Sequence, residues 1–266
     1  MKSVKQKQLE SNISCLVSGK ALELFEMLLD DPEVQVLQEY SNVVSLSRMH
    51  FNDHGPVHMR IAARNALVIA SILNAAKVPF NLESEGHCDF TDVQMALLLG
   101  AMFHDVGMTI GRAEHERLGG MIAQPIIDRL LKEVYPNDLR RRIAIRSVAL
   151  ESIIGHMATH PVTTLEAGVV LIADGCDMKK GRARIPMILN TDPRPGDIHQ
   201  YSASAIEELF IESGKQRPLR ITILMESSVG FFQVEKVLFP KIQHSTVKQH
   251  IELYAGMSDK DLKCYL

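Results

Sequence analysis

The chain has 266 residues, of which 46% are hydrophobic and 23% are charged, and its formal net charge is −3. These values are typical of a globular protein and argue against a disordered chain or a generally basic one, so we do not expect nucleic acid as a partner. The longest apolar stretch, residues 92–103, is too short to cross a membrane. Four widely spaced cysteines without a Cys-x-x-Cys pair are typical of reduced thiols, and we expect a cytoplasmic protein.

Apolar residues recur at helical spacing up to about residue 176. Residues 91–94 (Thr-Asp-Val-Gln) form a capping-box pattern at the start of one of these helices. The predicted helices cover residues 20–29, 57–73, 92 to about 104, 113–132, a segment from residue 138 to about 155, and a segment from residue 164 to about 174.

The pattern changes beyond residue 178. A short helix is predicted over residues 204–213, and alternating apolar residues predict a β-hairpin over residues 218–239 with its turn at 227–230. The pattern of residues 241–256 is compatible with either a helix or a strand. We therefore expect a mainly α protein in three parts: an N-terminal helical segment (1–48), a helical metal-binding domain (49–190) and a small C-terminal α+β appendage (191–266).

Histidine is the residue type in this sequence that is most informative about function, because it is the commonest metal ligand and a frequent acid or base near neutral pH. Seven of the 11 histidines lie between residues 54 and 160, both included. Two residues adjacent in sequence, His104 and Asp105, stand where a long apolar helix is predicted to end. An imidazole nitrogen and a carboxylate oxygen suit Mn, Zn, Fe, Co or Ni, so the residues do not select one metal.

Two further residues complete a candidate four-ligand set. His58 lies on the apolar face of an earlier predicted helix, and Asp174 lies at the end of a later one. Asp177, three residues on, competes with Asp174 for the same role. With His104 and Asp105, the set would contain two imidazoles and two carboxylates.

A second metal site could form around the other oxygen of Asp105. The candidate ligands are His115, His156 and His160. His156 and His160 share a face only if their helix continues past Gly155.

The order of these residues resembles that of the HD superfamily of metal-dependent phosphohydrolases over residues 50–185. The matching segments are His-Met-Arg-Ile at residues 58–61, Phe-His-Asp-Val-Gly at 103–107 and Ile-Ala-Asp at 172–174. His115 and His156 resemble the extra ligands of members with two metal ions. The resemblance implies an HD-domain helical bundle of at least five helices, one or two divalent transition metal ions, and hydrolysis of phosphomonoesters or phosphodiesters, often nucleotides. The Gly-Tyr-Pro motif of the HD-GYP subfamily does not occur, so cyclic di-GMP hydrolysis is not predicted.

The predicted mechanism is attack on phosphorus by metal-activated hydroxide. Asp105 would orient or deprotonate the nucleophile, and His54 or His160 would protonate the leaving oxygen. The predicted metal ligands are His58, His104, Asp105, Asp174, His115 and His156. The residues predicted to bind the phosphate of a small-molecule substrate are Lys179, Arg182, Arg184 and Arg112.

Two other functions stay open at this point. The chain could be a non-catalytic, metal-stabilised scaffold whose C-terminal hairpin binds a partner, or a di-iron oxygenase on the same helical scaffold. The predicted hairpin would offer an exposed strand edge for a homodimer.

Overall fold

The computed structural model describes residues 2–178, 198–258 and 260–266. A helical body comes first and a small sheet follows it. The described chain has these α-helices of four or more residues: α1 (Val4–Ser14), α2 (Gly19–Asp30), α3 (Pro32–Val43), α4 (Pro56–Ala75), α5 (Asn81–Ser84), α6 (Phe90–Phe103), α7 (His115–Val134), α8 (Leu139–Gly155), α9 (Leu165–Gly175), α10 (Ile198–Ser204) and α11 (Phe239–His244). Its strands are β1 (Ile206–Ser213), β2 (Leu219–Met225), β3 (Ile251–Gly256) and β4 (Lys263–Cys264).

Helix α6 lies at the centre of the helical body. All residues of α6 from Asp92 to its end are buried, and the helix packs against α2, α4, α7, α8 and α9. A helix that is apolar on all sides is expected in such a position. Because α6 is held on every side, the residues that follow its last turn are fixed in the interior.

The start of α6 differs from the sequence prediction. Asp89, rather than Thr91, is the N-cap residue: its side chain accepts hydrogen bonds from the backbone N–H groups of Thr91 and Asp92, and the Asp92 side chain accepts one from the Asp89 N–H. The capping box exists, but it begins two residues before the predicted one. Asp is the stronger N-cap residue of the two, which explains the difference.

The C-terminal region corrects two predictions. The helix predicted over 204–213 is the strand β1, and the helix in this region, α10, precedes it. The hairpin predicted over 218–239 is also wrong, because the chain turns helical soon after β2 ends at Met225. The actual hairpin consists of β1 and β2, and its turn follows Ser213.

Helical spacing explains the second of these errors. Val234, Leu238 and Ile242 are four residues apart and all buried. This period places them on one face of a helix, whereas a strand would require alternation. The segment continues as a π-helix (Val234–Leu238) directly into α11.

The sheet has the strand order β1-β2-β3-β4. β1 pairs antiparallel with β2, β2 pairs parallel with β3, and β3 pairs antiparallel with β4. The helical residues after β2 form the crossover that a parallel pair needs. The ambiguous residues 241–256 therefore supply both a helix end and a strand.

Apolar side chains from all three predicted parts meet in one hydrophobic core. Ile13 of α1, Leu98 of α6 and Ile221 of β2 belong to it, and the sheet packs on α4 through β1 and β2. The mainly α architecture with a small C-terminal sheet is confirmed, while the exact domain boundaries stay a prediction. In the part of the chain that the structure describes, every helix is too short or too polar for a transmembrane span.

Candidate metal centre

Side chains from five helical segments converge at one end of α6. All six predicted metal ligands are found there, and each is at most 5% exposed. They are His58 near the start of α4, His104 and Asp105 directly after α6, His115 at the start of α7, His156 directly after α8, and Asp174 near the end of α9.

The first subsite is formed by two imidazoles and two carboxylates. His58 Nε2 lies 3.0 Å from His104 Nε2 and 3.1 Å from Asp174 Oδ1. Asp105 Oδ2 lies 3.3 Å from His58 Nε2 and 3.2 Å from His104 Nε2. Two histidine nitrogens and two carboxylate oxygens thus face a common point, and this donor set suits a divalent transition metal.

The second subsite lies on the other side of Asp105. His115 Nε2 is 3.1 Å from His156 Nε2, and these nitrogens are 3.3 and 3.5 Å from Asp105 Oδ1. Burial lowers the pKa of His156 to about 4, so its imidazole is neutral at pH 7 and keeps a lone pair for a metal. Asp105 therefore directs one oxygen to each subsite.

Asp105 is the best indicator of an ion in this centre. Within the described ranges, nothing donates a hydrogen bond to its buried Oδ2. Burial alone would raise the pKa of the Asp105 carboxyl, but the nearby imidazoles of His104 and His54 outweigh it and hold that pKa well below its usual value. A buried, ionised carboxylate oxygen without a donor is costly, and a cation at this point would remove the cost.

The orientation of the four ligand imidazoles also fits a metal. Each uses Nδ1 for a hydrogen bond to a group that can only accept, so in the neutral imidazole Nδ1 carries the proton and Nε2 carries the lone pair. The acceptors are Asp177 Oδ2 for His58 (2.7 Å), Ala101 O for His104 (2.8 Å), Arg112 O for His115 (3.0 Å) and Ile153 O for His156 (2.7 Å). In each subsite, the Nε2 atoms of two imidazoles consequently face each other at about hydrogen-bond distance. A cation between the two nitrogens would stabilise this arrangement.

The structure separates the roles of Asp174 and Asp177. Asp174 faces both imidazoles of the first subsite, whereas Asp177 holds the opposite edge of His58. Burial raises the pKa of Asp174, but the Lys241 ammonium and His58 lower it more, and the carboxyl stays ionised.

Lys241 is the functional candidate that the sequence analysis missed. It is 9% exposed, and its Nζ donates to Asp174 Oδ2 and to the backbone oxygen of His156. Its signal in the sequence is a lysine beside Leu238 and Ile242, in a segment whose apolar residues recur at helical spacing.

The remaining predicted residues have different positions. The ring of His54 is 5.9 Å from that of His58, and its Nδ1 is 2.6 Å from the backbone oxygen of Asn52. His160 lies outside the cluster, because α8 ends at Gly155, and its Nε2 accepts from Arg117.

Of the predicted phosphate-binding residues, only one can be placed. The Arg112 guanidinium packs over the ring of Phe51 and lies 3.8 Å from Met157 Sδ. Its backbone oxygen accepts from His115, so Arg112 borders the second subsite. Lys179, Arg182 and Arg184 lie outside the described residues.

A comparison with curated proteins gives the family. The chain is 32% identical over 232 residues to the uncharacterized protein MJ1020 of Methanocaldococcus jannaschii, and the aligned residues cover 87% of each chain. The chain belongs to the MJ1020 family. No protein-family model matches it, and no solved structure matches it. The assignment to the MJ1020 family therefore fixes a relationship and names no activity.

Proposed function

We propose that this protein is a metal-dependent phosphohydrolase of the HD type that acts on a phosphomonoester or phosphodiester, with nucleotides as candidate substrates. The observation that carries the proposal is the position of Asp105, whose two oxygens face two separate pairs of imidazole nitrogens. This pattern matches the ligand order of the HD superfamily and supports a centre for one or two divalent ions.

The distances between the side chains divide them into two subsites. His58, His104, Asp105 and Asp174 would hold a first ion, and Asp105, His115 and His156 would hold a second. A divalent ion held by these residues would lower the pKa of a water molecule toward neutrality and so supply hydroxide at neutral pH. The second subsite has fewer protein ligands, which leaves more room for water or substrate.

The chain's own residues supply the other parts of the reaction. In hydrolysis, a water oxygen forms a bond to phosphorus, the bond to the leaving oxygen breaks, and a proton passes to the leaving oxygen. His54 would exchange that proton, because its ring lies 5.9 Å from that of His58 at the edge of the first subsite. Arg112 borders the second subsite and would donate to the phosphate. His160 is a weaker proton donor candidate, because its Nε2 accepts from Arg117.

The test combines metal analysis with activity. We expect purified protein to contain one or two divalent ions per chain and to hydrolyse at least one member of a phosphomonoester and phosphodiester panel. Asp105→Asn should remove both metal and activity, whereas Asp128→Asn on the surface of α7 should change neither. Full activity of the Asp105 variant, or a metal-loaded protein inert toward the whole panel, would contradict the proposal.

The bridging position of Asp105 also favours a second candidate, a di-iron oxygenase, because one carboxylate between two histidine-bound ions suits iron equally well. Iron in the purified protein together with substrate-dependent oxygen consumption would select it. A metal-loaded protein without either activity would instead favour a scaffold.

A homodimer stays a prediction. Its interface would be the exposed edge of β1, the first strand of the sheet, and a measurement of molecular mass in solution would test it.

A further inference from the structure

Lys241 connects the C-terminal region to both halves of the metal centre. Its ammonium donates to Asp174 Oδ2, the carboxylate oxygen that does not face His58. It also donates, at 2.8 Å, to the backbone oxygen of His156, a second-subsite ligand. One buried lysine thus contacts a ligand residue from each subsite.

The surroundings of Lys241 hold its side chain in this position. A β-carbon built on Gly175, the residue after Asp174, would lie 3.1 Å from Lys241 Cδ and 3.1 Å from Leu238 Cδ1. A side chain at residue 175 would therefore require Leu238 and Lys241 to shift by a few tenths of an ångström. Lys241 follows a π-helix, a local irregularity that is frequent at functional sites.

The contact restricts what Asp174 can do. An unrestrained carboxylate can offer both oxygens to one ion or bridge two ions. Oδ2 accepts from the ammonium, whereas Oδ1 is the oxygen nearest to both imidazoles of the first subsite. We propose that Lys241 is a positioning residue of the metal centre, which makes Asp174 a one-oxygen ligand of the first subsite and thereby sets the difference in affinity between the two subsites.

This inference rests on the metal centre of the proposed function, but not on phosphoester hydrolysis itself. The experiment is a titration of metal-free protein with Co²⁺, followed by visible absorption. The d–d bands of Co²⁺ report coordination number and geometry, which a lysine with a purely structural role would leave unchanged. Phosphoester hydrolysis is measured separately on the same preparations.

The variants are Lys241→Met, Lys241→Arg and Gly175→Ala, with Lys236→Met as the matched control on the exposed side of the preceding π-helix. We expect Lys241→Met to weaken Co²⁺ binding at the first subsite 10- to 100-fold and to change its absorption bands. Lys241→Arg should recover part of the affinity, Gly175→Ala should weaken it to a smaller extent, and Lys236→Met should match the unmodified protein.

The outcomes separate the two proposals. Unchanged affinity and bands in Lys241→Met would overturn the role of Lys241. If circular dichroism shows that Lys241→Met does not fold, the Co²⁺ affinities of Lys241→Arg and Gly175→Ala decide instead, and unchanged affinity and bands in both variants would overturn the role of Lys241. A chain that binds no Co²⁺ would overturn the metal centre and the role of Lys241 together. Weakened binding in a chain that hydrolyses no phosphoester would support Lys241 and reject the phosphohydrolase.

Discussion

The ligand histidines use their two ring nitrogens for different tasks. For His104, Nδ1 donates to the carbonyl of Ala101, which leaves Nε2 as the atom that faces the centre. For His58, the acceptor on Nδ1 is the carboxylate of Asp177. A charged acceptor raises the basicity of an imidazole ligand more than a carbonyl does, so His58 should be a stronger donor than His104 and His156, whose Nδ1 atoms bond to carbonyls.

Asp177→Ala tests the importance of that carboxylate. The variant keeps all six ligands but removes the group that fixes the tautomer and orientation of His58. We expect metal affinity at the first subsite to fall 10- to 100-fold, as is typical for such partners, while binding at His115 and His156 changes little. Isothermal titration with Zn²⁺ measures both steps, and Asp128→Ala is the surface control. Equal loss at both subsites would point to general unfolding instead.

At the residue scale, the sequence indicates the candidate ligands more readily than the side chains that support them. His104 and Asp105 could be identified because their position at the end of an apolar helix is visible in the local pattern. Lys241 could not, because its contact with Asp174 joins residues 67 positions apart, and no local pattern encodes such a pairing. His160 lies outside the ligand cluster because the helix that would have placed it beside His156 ends at Gly155, and its role as a proton donor stays a prediction.

At the scale of elements, the ends of three helices form much of the centre. His104 and His156 are the C-cap residues of α6 and α8, and Asp174 lies one residue before the end of α9. The last carbonyls of a helix lack intrahelical donors and carry a partial negative charge. Their use as acceptors for His104 and His156 satisfies them and places that charge beside the proposed cations.

Gly107→Ala should disturb the second subsite through the contact between two elements. A β-carbon at residue 107 would lie 1.9 Å from the backbone oxygen of His115 and 2.6 Å from the backbone nitrogen of Gly119, so α7 would have to move. We expect a loss of about 1–3 kcal/mol in the free energy of unfolding and a loss of metal at His115.

Chemical denaturation and metal analysis measure the two effects of Gly107→Ala. The control is Gly111→Ala in the same loop, where the added carbon would meet only Met49 Cε at an ordinary 3.7 Å. Equal stability and metal content in the two variants would show that the backbone contact does not position His115.

The N-cap of α3 gives a pH-dependent prediction away from the centre. Asp31 caps α3 and pairs with Arg129 of α7 at 2.6 Å. Burial raises the pKa of Asp31, but Arg129 and the cap N–H groups lower it more, so it lies below its usual value. A carboxyl with a lowered native pKa stabilises the fold above its unfolded pKa of about 3.9, and this stabilisation is lost as pH falls through the native value.

Asp31→Asn keeps the cap acceptor and removes the charge. Because Arg129 is half-exposed, we expect a deficit of at most about 1 kcal/mol at pH 7 that shrinks below pH 4 and in high salt. Thermal melting against pH, at low and high salt, measures it. A deficit that grows on acidification would contradict the assignment of the charge to this pair.

Element types could be predicted where the hydrophobic period was regular, as in α4, or where the apolar run was long, as in α6. They could not be predicted from residue 204 onward. The sequence of β1 (Ile206–Ser213) contains acidic residues that are compatible with a helix, and only pairing with β2 makes it a strand. The segment after β2 alternates over its first residues, but burial of Val234 and Leu238 on one face decides for helical structure.

At the scale of the whole molecule, the centre links parts of the chain that are distant in sequence. Its ligands come from α4 to α9, and Lys241 adds α11. An ion bound at this point therefore interacts only with the assembled fold, because the unfolded chain does not bring these residues together.

Removal of metal should accordingly lower thermal stability. At a free metal concentration 100 times the dissociation constant, binding adds about 2.7 kcal/mol to the free energy of unfolding, which amounts to several degrees in Tm for a chain of this size. Calorimetry with and without a chelator measures the shift. Asp105→Asn should melt at the same temperature in both conditions, and an equal chelator effect on this variant would locate the metal elsewhere.

The place of Lys241 in the chain also has a consequence for biosynthesis. All six ligands precede it, so during translation the two ligand aspartates are made before the ammonium that neutralises one of them. A nascent chain that folds its helical body early would expose a centre with an excess of negative charge, open to any divalent cation nearby. The difference in affinity between the two subsites would then arise only when α11 reaches its position against α9, after residue 241 has left the ribosome.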